Sequence, residues 1–181
     1  SSYKDEVRKD TTLVKLSQLK AAFKKSGTVT AGNASSLNDG ASFLALASEK
    51  YIKSNKIRPI AKILSWALSA GNPDYMGVTP ITAIQKLMKK MGVNIGYFDL
   101  VEINEAFAAT SVAVQRSLKI DPNKLNIAGG AIALGHPIGC SGARIVTTLA
   151  HQLRRTKQKV GVASMCIGGG QGLAIAIEKI N

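Results

Sequence analysis

Three polar side chains stand where apolar runs end: Asn104 in "NEAFA", His136 in "GHPIGCSG" and Cys166 in "CIGGGQG". Each combines a group able to move or hold a proton with bare or apolar surroundings. His136 precedes Pro137, which biases its backbone to an extended form. Glycines 135, 139 and 142 strip side chains from both sides of it, so a ligand or another backbone can come close. Such an imidazole is either a satisfied core histidine or a general base. Cys166 closes an apolar run and is followed by Gly168, Gly169 and Gly170. It is either an inert buried thiol or a thiol beside free backbone N–H donors, a setting suited to a developing oxyanion. Asn104 sits where a strand meets a helix. It either caps that helix or projects from the carboxyl end of the strand, the usual ligand edge of an α/β sheet. Together the three could converge on one site of acyl-transfer type.

Two other readings of these residues fail on context. His136, Cys140 and Cys166 are zinc-type residues, but they lack a fourth ligand and zinc-type spacing, so no metal is expected. Glycines 168, 170 and 172 imitate a dinucleotide loop, but a strand follows them and not a helix.

The elements that must position these groups alternate in type. "PIAKILSWALSA" reads as a strand after Pro59, and "GNPDYMGVTP" as a loop. "PITAIQKLMKKMG" reads as a helix, with Pro80 in its first turn, late lysines and Gly92 after it. "FDLVEI" is a short buried strand, and "NEAFAATSVAVQRSL" is a helix apolar on most faces. The apolar positions 145, 146, 149, 150 and 153 give "SGARIVTTLAHQLRRTK" one helical face. "KVGVASMCI" and "LAIAIEKI" flank "GGGQG" and form an antiparallel pair. Upstream, "ASFLALAS" is expected as a strand and "SEKYIKSN" as a short helix capped by Ser48. Leu13, Leu16, Leu19 and Phe23 fall at helical spacings. The fold class is therefore α/β, a mixed sheet with helices on its faces and no internal repeat.

The 181 residues, 45% hydrophobic, suit a globular domain, and two cysteines give no disulfide framework and favour a reducing compartment. The opening "SSYKDEVRKD" is polar, with no apolar leader core. The uncharged run 125–143 holds five glycines and Pro137, which argues against a membrane span. The net charge of +13 is dispersed and without a nucleic-acid motif, so a solvated surface is expected, with some capacity to draw in a polyanionic ligand.

In order, "TAGNASSLNDGA", "NEAFA", "GGAIALGHPIGCSGAR" and "CIGGGQG" resemble the motifs of thiolases, over nearly the whole chain. The similarity is to the C-terminal part of an acetyl-CoA acetyltransferase or a near 3-ketoacyl-CoA thiolase. It implies a five-stranded mixed sheet with helices on both faces. Residues 1–30 would end the family's loop region, and 31–181 would form the C-terminal domain. The N-terminal domain with the nucleophilic cysteine would be absent, since neither Cys140 nor Cys166 matches that nucleophile's motif. The chain alone would then be inactive, or a CoA-binding or interaction fragment with an exposed apolar face. In the whole enzyme His136 would be the base that activates the nucleophile. Asn104 would hold a water on the thioester oxygen. Cys166 would be the acid/base at the methyl carbon of the second acetyl-CoA, and Gly168 would donate a backbone N–H to the acyl-enzyme oxygen. Coenzyme A would lie along Ser35 and Ala31, with Met76 and Phe107 at the acyl end and Leu19, Phe23 and Arg8 nearer the nucleotide. CoA thioesters would be substrates, with no resident cofactor. The resemblance further implies a homodimer or homotetramer when full-length; no nucleic-acid or membrane partner is expected, and the location is expected to be the cytoplasm, with a mitochondrion or other organelle as the alternative.

Overall fold

Proline at the front and glycine behind define the best-marked helix of the chain, and the computed structural model, which describes residues 8–180, places it at Thr79–Met91. Gly92 closes it in the left-handed region at φ 68°, and Lys89 and Lys90 occupy its last turn. In chain order the elements are α1 (Leu13–Ser17), α2 (Glu49–Ser54), β1 (Ala61–Ala70), α3 (Thr79–Met91), β2 (Leu100–Ile103), α4 (Ala108–Leu118), α5 (Ala131–Leu134), α6 (Ser141–Arg155), β3 (Val160–Ile167) and β4 (Gln171–Lys179). Ser48 caps α2 as expected, accepting from Tyr51 N. Residues 1–7, within the polar opening stretch, lie outside the described residues.

The sheet order is β1-β4-β3-β2. β4 runs antiparallel to both neighbours, while β2 and β3 are parallel, so the sheet is mixed. Side chains alternate between two cores. Val101, Ile103, Val160 and Val162 pack with Ile84, Leu87 and Val114 of α3 and α4. Leu100, Ala163 and Ile177 pack with Ile145, Leu149 and Leu153 of α6. Period-two strands between amphipathic helices thus give an α/β/α sandwich. The parallel strands β2 and β3 end at one edge, and Asn104 and Cys166 stand there.

Among the described residues the sheet has four strands, where five were expected. The fifth place holds a single parallel bridge between Leu125 and Val101. Asn126 explains why pairing stops. It adopts φ 47°, and its side chain takes over the ladder, accepting from Ile103 N at 2.8 Å and donating to Ile103 O at 2.9 Å. A side-chain amide does the work of the next backbone unit.

The expected strand at 41–48 is also absent. The segment has no regular secondary structure and pairs with no strand, and Phe43 and Leu46 are 88% and 75% exposed. Period alone cannot supply a hydrogen-bonding neighbour. The loop expected at 71–80 contains a 3₁₀ helix, Pro73–Val78, opened by Asn72, whose side chain accepts from Asp74 N. The helical spacing from Leu13 to Phe23 yields only the short α1, beyond which Ala21 bridges Thr30.

The β3–β4 turn depends on Gly170. Its φ is 82°, and a Cβ there would lie 2.5 Å from Gly71 O and 2.9 Å from Pro73 N. Gly170→Ala should destabilise the chain by about 2–4 kcal/mol through left-handed strain and overpacking. Gly139→Ala is the control, since its Cβ would meet nothing within 4 Å. Urea midpoints of the two variants compare them directly, and an equal effect would refute the turn argument.

Candidate active site

His136 is delivered by a strained approach. Gly135 sits at φ 98°, and a Cβ on it would strike the Asn38 side chain, so only glycine fits before the histidine. His136 N then donates to Ser36 O at 2.9 Å, tying the loop to the segment 33–38. Gly139 and Gly142 have open or ordinary surroundings, so of the three flanking glycines only Gly135 is required by contacts within this chain.

The ring is held at both nitrogens. Nδ1 lies 2.7 Å from Ser141 Oγ, and that hydroxyl donates to Pro137 O at 3.0 Å. Nε2 lies 3.1 Å from Asn104 Nδ2. Burial first, and then the Arg144 guanidinium, hold the imidazole below the usual histidine range. The shift favours the neutral ring, the form that accepts a proton.

Asn104 is fully buried, and its backbone N–H donates to Ser164 O at 3.0 Å. It does not cap the following helix. α4 begins four residues later, with Phe107 at its N-cap and no side-chain cap. Asn104 Oδ1 instead accepts from Arg144 Nη2 at 3.2 Å. Asn104 and His136 are thus brought into contact from two different motifs. Cys166 lies two residues beyond Ser164 on β3 and is buried. Burial pushes its thiol upward from the ordinary 9.0. Gly168 is exposed in the turn that follows, where a Cβ would meet nothing within 4 Å. No hydrogen bond joins Cys166 to the Asn104–His136 pair among the described residues, though all stand at one end of β2 and β3.

The residues expected along coenzyme A divide into a connected set and outliers. Ser35 bonds Ala106 O through both N and Oγ, and Ala34 bridges Phe107. Phe23 meets Phe107 edge-on with centroids 6.5 Å apart. Leu19 packs over Gly32, next to Ala31, with its Cδ1 2.7 Å from where a Cβ would stand. Met76 lies in the 3₁₀ helix facing α4, since a Cβ on its neighbour Gly77 would approach Thr110 Oγ1 to 3.0 Å. Arg8 is exposed, and its carbonyl accepts from Thr11 Oγ1. Cys140 is a buried thiol at the N-cap of α6. No group of three or more His, Cys, Asp or Glu side chains converges among the described residues. No helix there is long and apolar enough to cross a membrane.

Four side chains escape the motif reading. Arg144 and Ser141 hold Asn104 and His136 as described. Glu105 accepts from Asn126 Nδ2 at 3.0 Å and Ile132 N at 3.1 Å, bracing the loop that leads to His136. Glu102 lies beside them, 2% exposed, and burial pushes its carboxyl up to about 7 despite the opposing Arg144 charge. Between its unfolded value near 4.5 and about 7, the folded chain keeps a proton that the unfolded chain releases. Stability therefore falls as pH rises through that window, by up to about 3 kcal/mol. Glu102→Gln should remove this part of the slope. Denaturant midpoints measured across the window check it, and an unchanged slope would refute it.

Comparison with known proteins gives the site a family. The thiolase C-terminal domain profile matches residues 57–179, and the thiolase N-terminal domain profile matches residues 1–50. The chain is 48% identical over 174 residues to rat mitochondrial 3-ketoacyl-CoA thiolase, covering 96% of this chain and 44% of that protein. It is 49% identical over 177 residues to the probable acetyl-CoA acyltransferase of Staphylococcus aureus (strain NCTC 8325 / PS 47), covering 97% and 45%. Among solved structures, Bacillus anthracis acetyl-CoA acetyltransferase superposes with a TM-score of 0.95 at 47% identity, covering 98% of this chain and 45% of that one. Human mitochondrial 3-ketoacyl-CoA thiolase in complex with CoA superposes with a TM-score of 0.90 at 45% identity, with the same coverage. The chain thus spans less than half the length of these relatives. By this profile match and by the four ordered motifs that build the site, the chain belongs to the thiolase family.

Proposed function

We propose that the chain is the C-terminal portion of an acetyl-CoA C-acetyltransferase. The reaction joins two acetyl-CoA into acetoacetyl-CoA and CoA, and thiolysis is its reverse. The observation that carries this reading is His136 held 3.1 Å from Asn104 at the strand edge that also bears Cys166 and the glycine turn.

In this reading a cysteine of the N-terminal thiolase domain is the nucleophile. His136 Nε2 takes its proton, and the thiolate attacks the acetyl-CoA carbonyl carbon. The carbon–sulfur bond to CoA breaks, CoA leaves, and an acetyl-enzyme remains. Cys166 thiolate then takes a proton from the methyl group of a second acetyl-CoA. The carbon nucleophile attacks the acetyl-enzyme, a carbon–carbon bond forms, and the enzyme thiolate departs. His136 and an Asn104-held water stabilise the thioester oxygen as it gains charge, and the Gly168 N–H does so for the acyl-enzyme oxygen. The connected set Leu19, Phe23, Ala31, Ser35 and Phe107 offers a surface for pantetheine, with Met76 toward the acyl group and Arg8 toward the nucleotide.

The two profile matches, to residues 1–50 and 57–179, support a start of the C-terminal domain near residue 57, where the expectation was residue 31. The unpaired, exposed segment 41–47 then reads as a strand whose neighbours belong to the N-terminal domain. The chain alone is inactive in this reading, and the complete enzyme is a homodimer or homotetramer. Cys140 and Cys166 as free thiols suit a reducing compartment, the cytosol or the mitochondrial matrix.

A second reading, a degradative 3-ketoacyl-CoA thiolase, draws support from the mitochondrial relatives. Thiolysis rates of the complete protein across acyl lengths separate the two. The acetyltransferase reading expects acetoacetyl-CoA to be cleaved fastest, and a preference for long chains overturns it in favour of the second. Absence of thiolysis at every length overturns both.

A further inference from the structure

We infer that Arg144 is a positioning residue that sets the tautomer of His136 through the Asn104 amide. The inference rests on His136 serving as the base, and it concerns which ring nitrogen is free to do so.

The direction of every bond follows from the arginine. A guanidinium has only donors. The Asn104 atom facing Arg144 Nη2 at 3.2 Å must therefore be the amide oxygen. The amide nitrogen is then the atom turned to His136 Nε2 at 3.1 Å, and an amide nitrogen only donates. Nε2 must accept, so the ring proton sits on Nδ1. That proton goes to Ser141 Oγ at 2.7 Å, whose own proton goes to Pro137 O at 3.0 Å. The path from Arg144 to Pro137 O contains no clash of two donors or two acceptors. It leaves the unprotonated lone pair on Nε2, where Asn104 Nδ2 donates to it.

The amide has little freedom of its own. Asn104 is 0% exposed, and Arg144 and His136 meet its two amide atoms. Without Arg144 either orientation would leave one amide atom unpaired, and the bias on Nε2 would be lost. An unconstrained imidazole in water prefers its proton on Nε2, the opposite tautomer. The arrangement thus holds His136 against its intrinsic preference. Arg144 also has a buried Nη1 with no partner, so its burial is not explained by saturation of its own hydrogen bonds.

The chain contains two histidines, and His151 is exposed, which makes a direct reading practical. Long-range proton–nitrogen correlation spectra of the ¹⁵N-labelled 181-residue chain report the tautomer of each ring, with His151 as the internal standard. His136 should show the Nδ1–H pattern and His151 the Nε2–H pattern. Arg144→Met should move His136 toward Nε2–H, and Arg144→Lys, which restores a donor, should return part of the Nδ1–H signal. Asn104→Asp offers only acceptors and should reverse the tautomer. An Nε2–H pattern for His136 in the wild-type chain overturns the inference. So does an Arg144→Met chain, folded by its amide spectrum, that keeps the wild-type pattern. If Arg144→Met does not fold, the wild-type and Asn104→Asp spectra still decide. None of these spectra depends on turnover, so failure of the base assignment would show separately, as activity retained without His136.

Discussion

In the complete enzyme, His136→Ala should lower kcat for acetoacetyl-CoA thiolysis by about 10²–10⁴-fold, the range expected when a positioned general base is removed. The loss should fall on both half-reactions, because in the proposed reaction the same nitrogen takes the nucleophile's proton and faces the thioester oxygen. The fold should survive. His136 is only partly buried, and its ring contacts, Ser141 and Asn104, keep other partners in Pro137 O and Arg144. The acid limb of kcat/KM should lie below 6.5, since burial and Arg144 both disfavour the imidazolium. The sign is fixed: protonation removes the base, so the rate falls as pH drops through the lowered value. Stopped assays of the wild-type and alanine enzymes across pH test both statements. Retained activity, or an acid limb above the ordinary histidine value, would refute the assignment.

The parts of this site that a sequence displays are those with local rules. α3 could be bounded from Pro80 and Gly92 because both act within one turn of the helix. The β3–β4 hairpin followed from two apolar runs and a short glycine link. Asn104 was visible as a polar residue at a strand end. Its partner was not, because capping is a local bond and the actual one reaches 40 residues to Arg144. Arg144 was hidden for a related reason. It sits one place before Ile145 on α6 and breaks no apolar periodicity, so nothing in the spacing distinguishes it from a solvated arginine. The same limit governs the sheet. Residues 41–48 have a strand's composition, but pairing is a property of the neighbour, and the described residues provide none. Asn126 shows the converse, since a single asparagine in the left-handed region ended a ladder that composition would have continued.

Cys166→Ala should separate the two halves of the reaction. Condensation by the complete enzyme should fall by about 10²–10⁴-fold, because the proton of the second acetyl-CoA's methyl group then has no acceptor at the right place. Transfer of the first acetyl group to the enzyme should stay within a few-fold of wild type, because the proposed reaction gives that step to His136. A burst of CoA from acetyl-CoA, measured with and without turnover to acetoacetyl-CoA, reads the two steps separately. The thiol's environment adds a pH signature. Burial raises Cys166 above 9.0, so at neutral pH it is mostly protonated, and its thiolate fraction rises tenfold per pH unit until the raised value is reached. Condensation limited by this proton abstraction should therefore climb through about pH 9, well after His136 has become fully neutral. A burst that disappears with Cys166→Ala would move the cysteine into the first step. A condensation rate flat from about pH 7 to 9 would mean that the abstracting group is already ionised there, which a buried thiol at the end of β3 is not. The contrast is the strongest consequence of the geometry. The site holds an imidazole whose surroundings push its value down and a thiol whose surroundings push its value up, and only the latter should respond to alkaline pH.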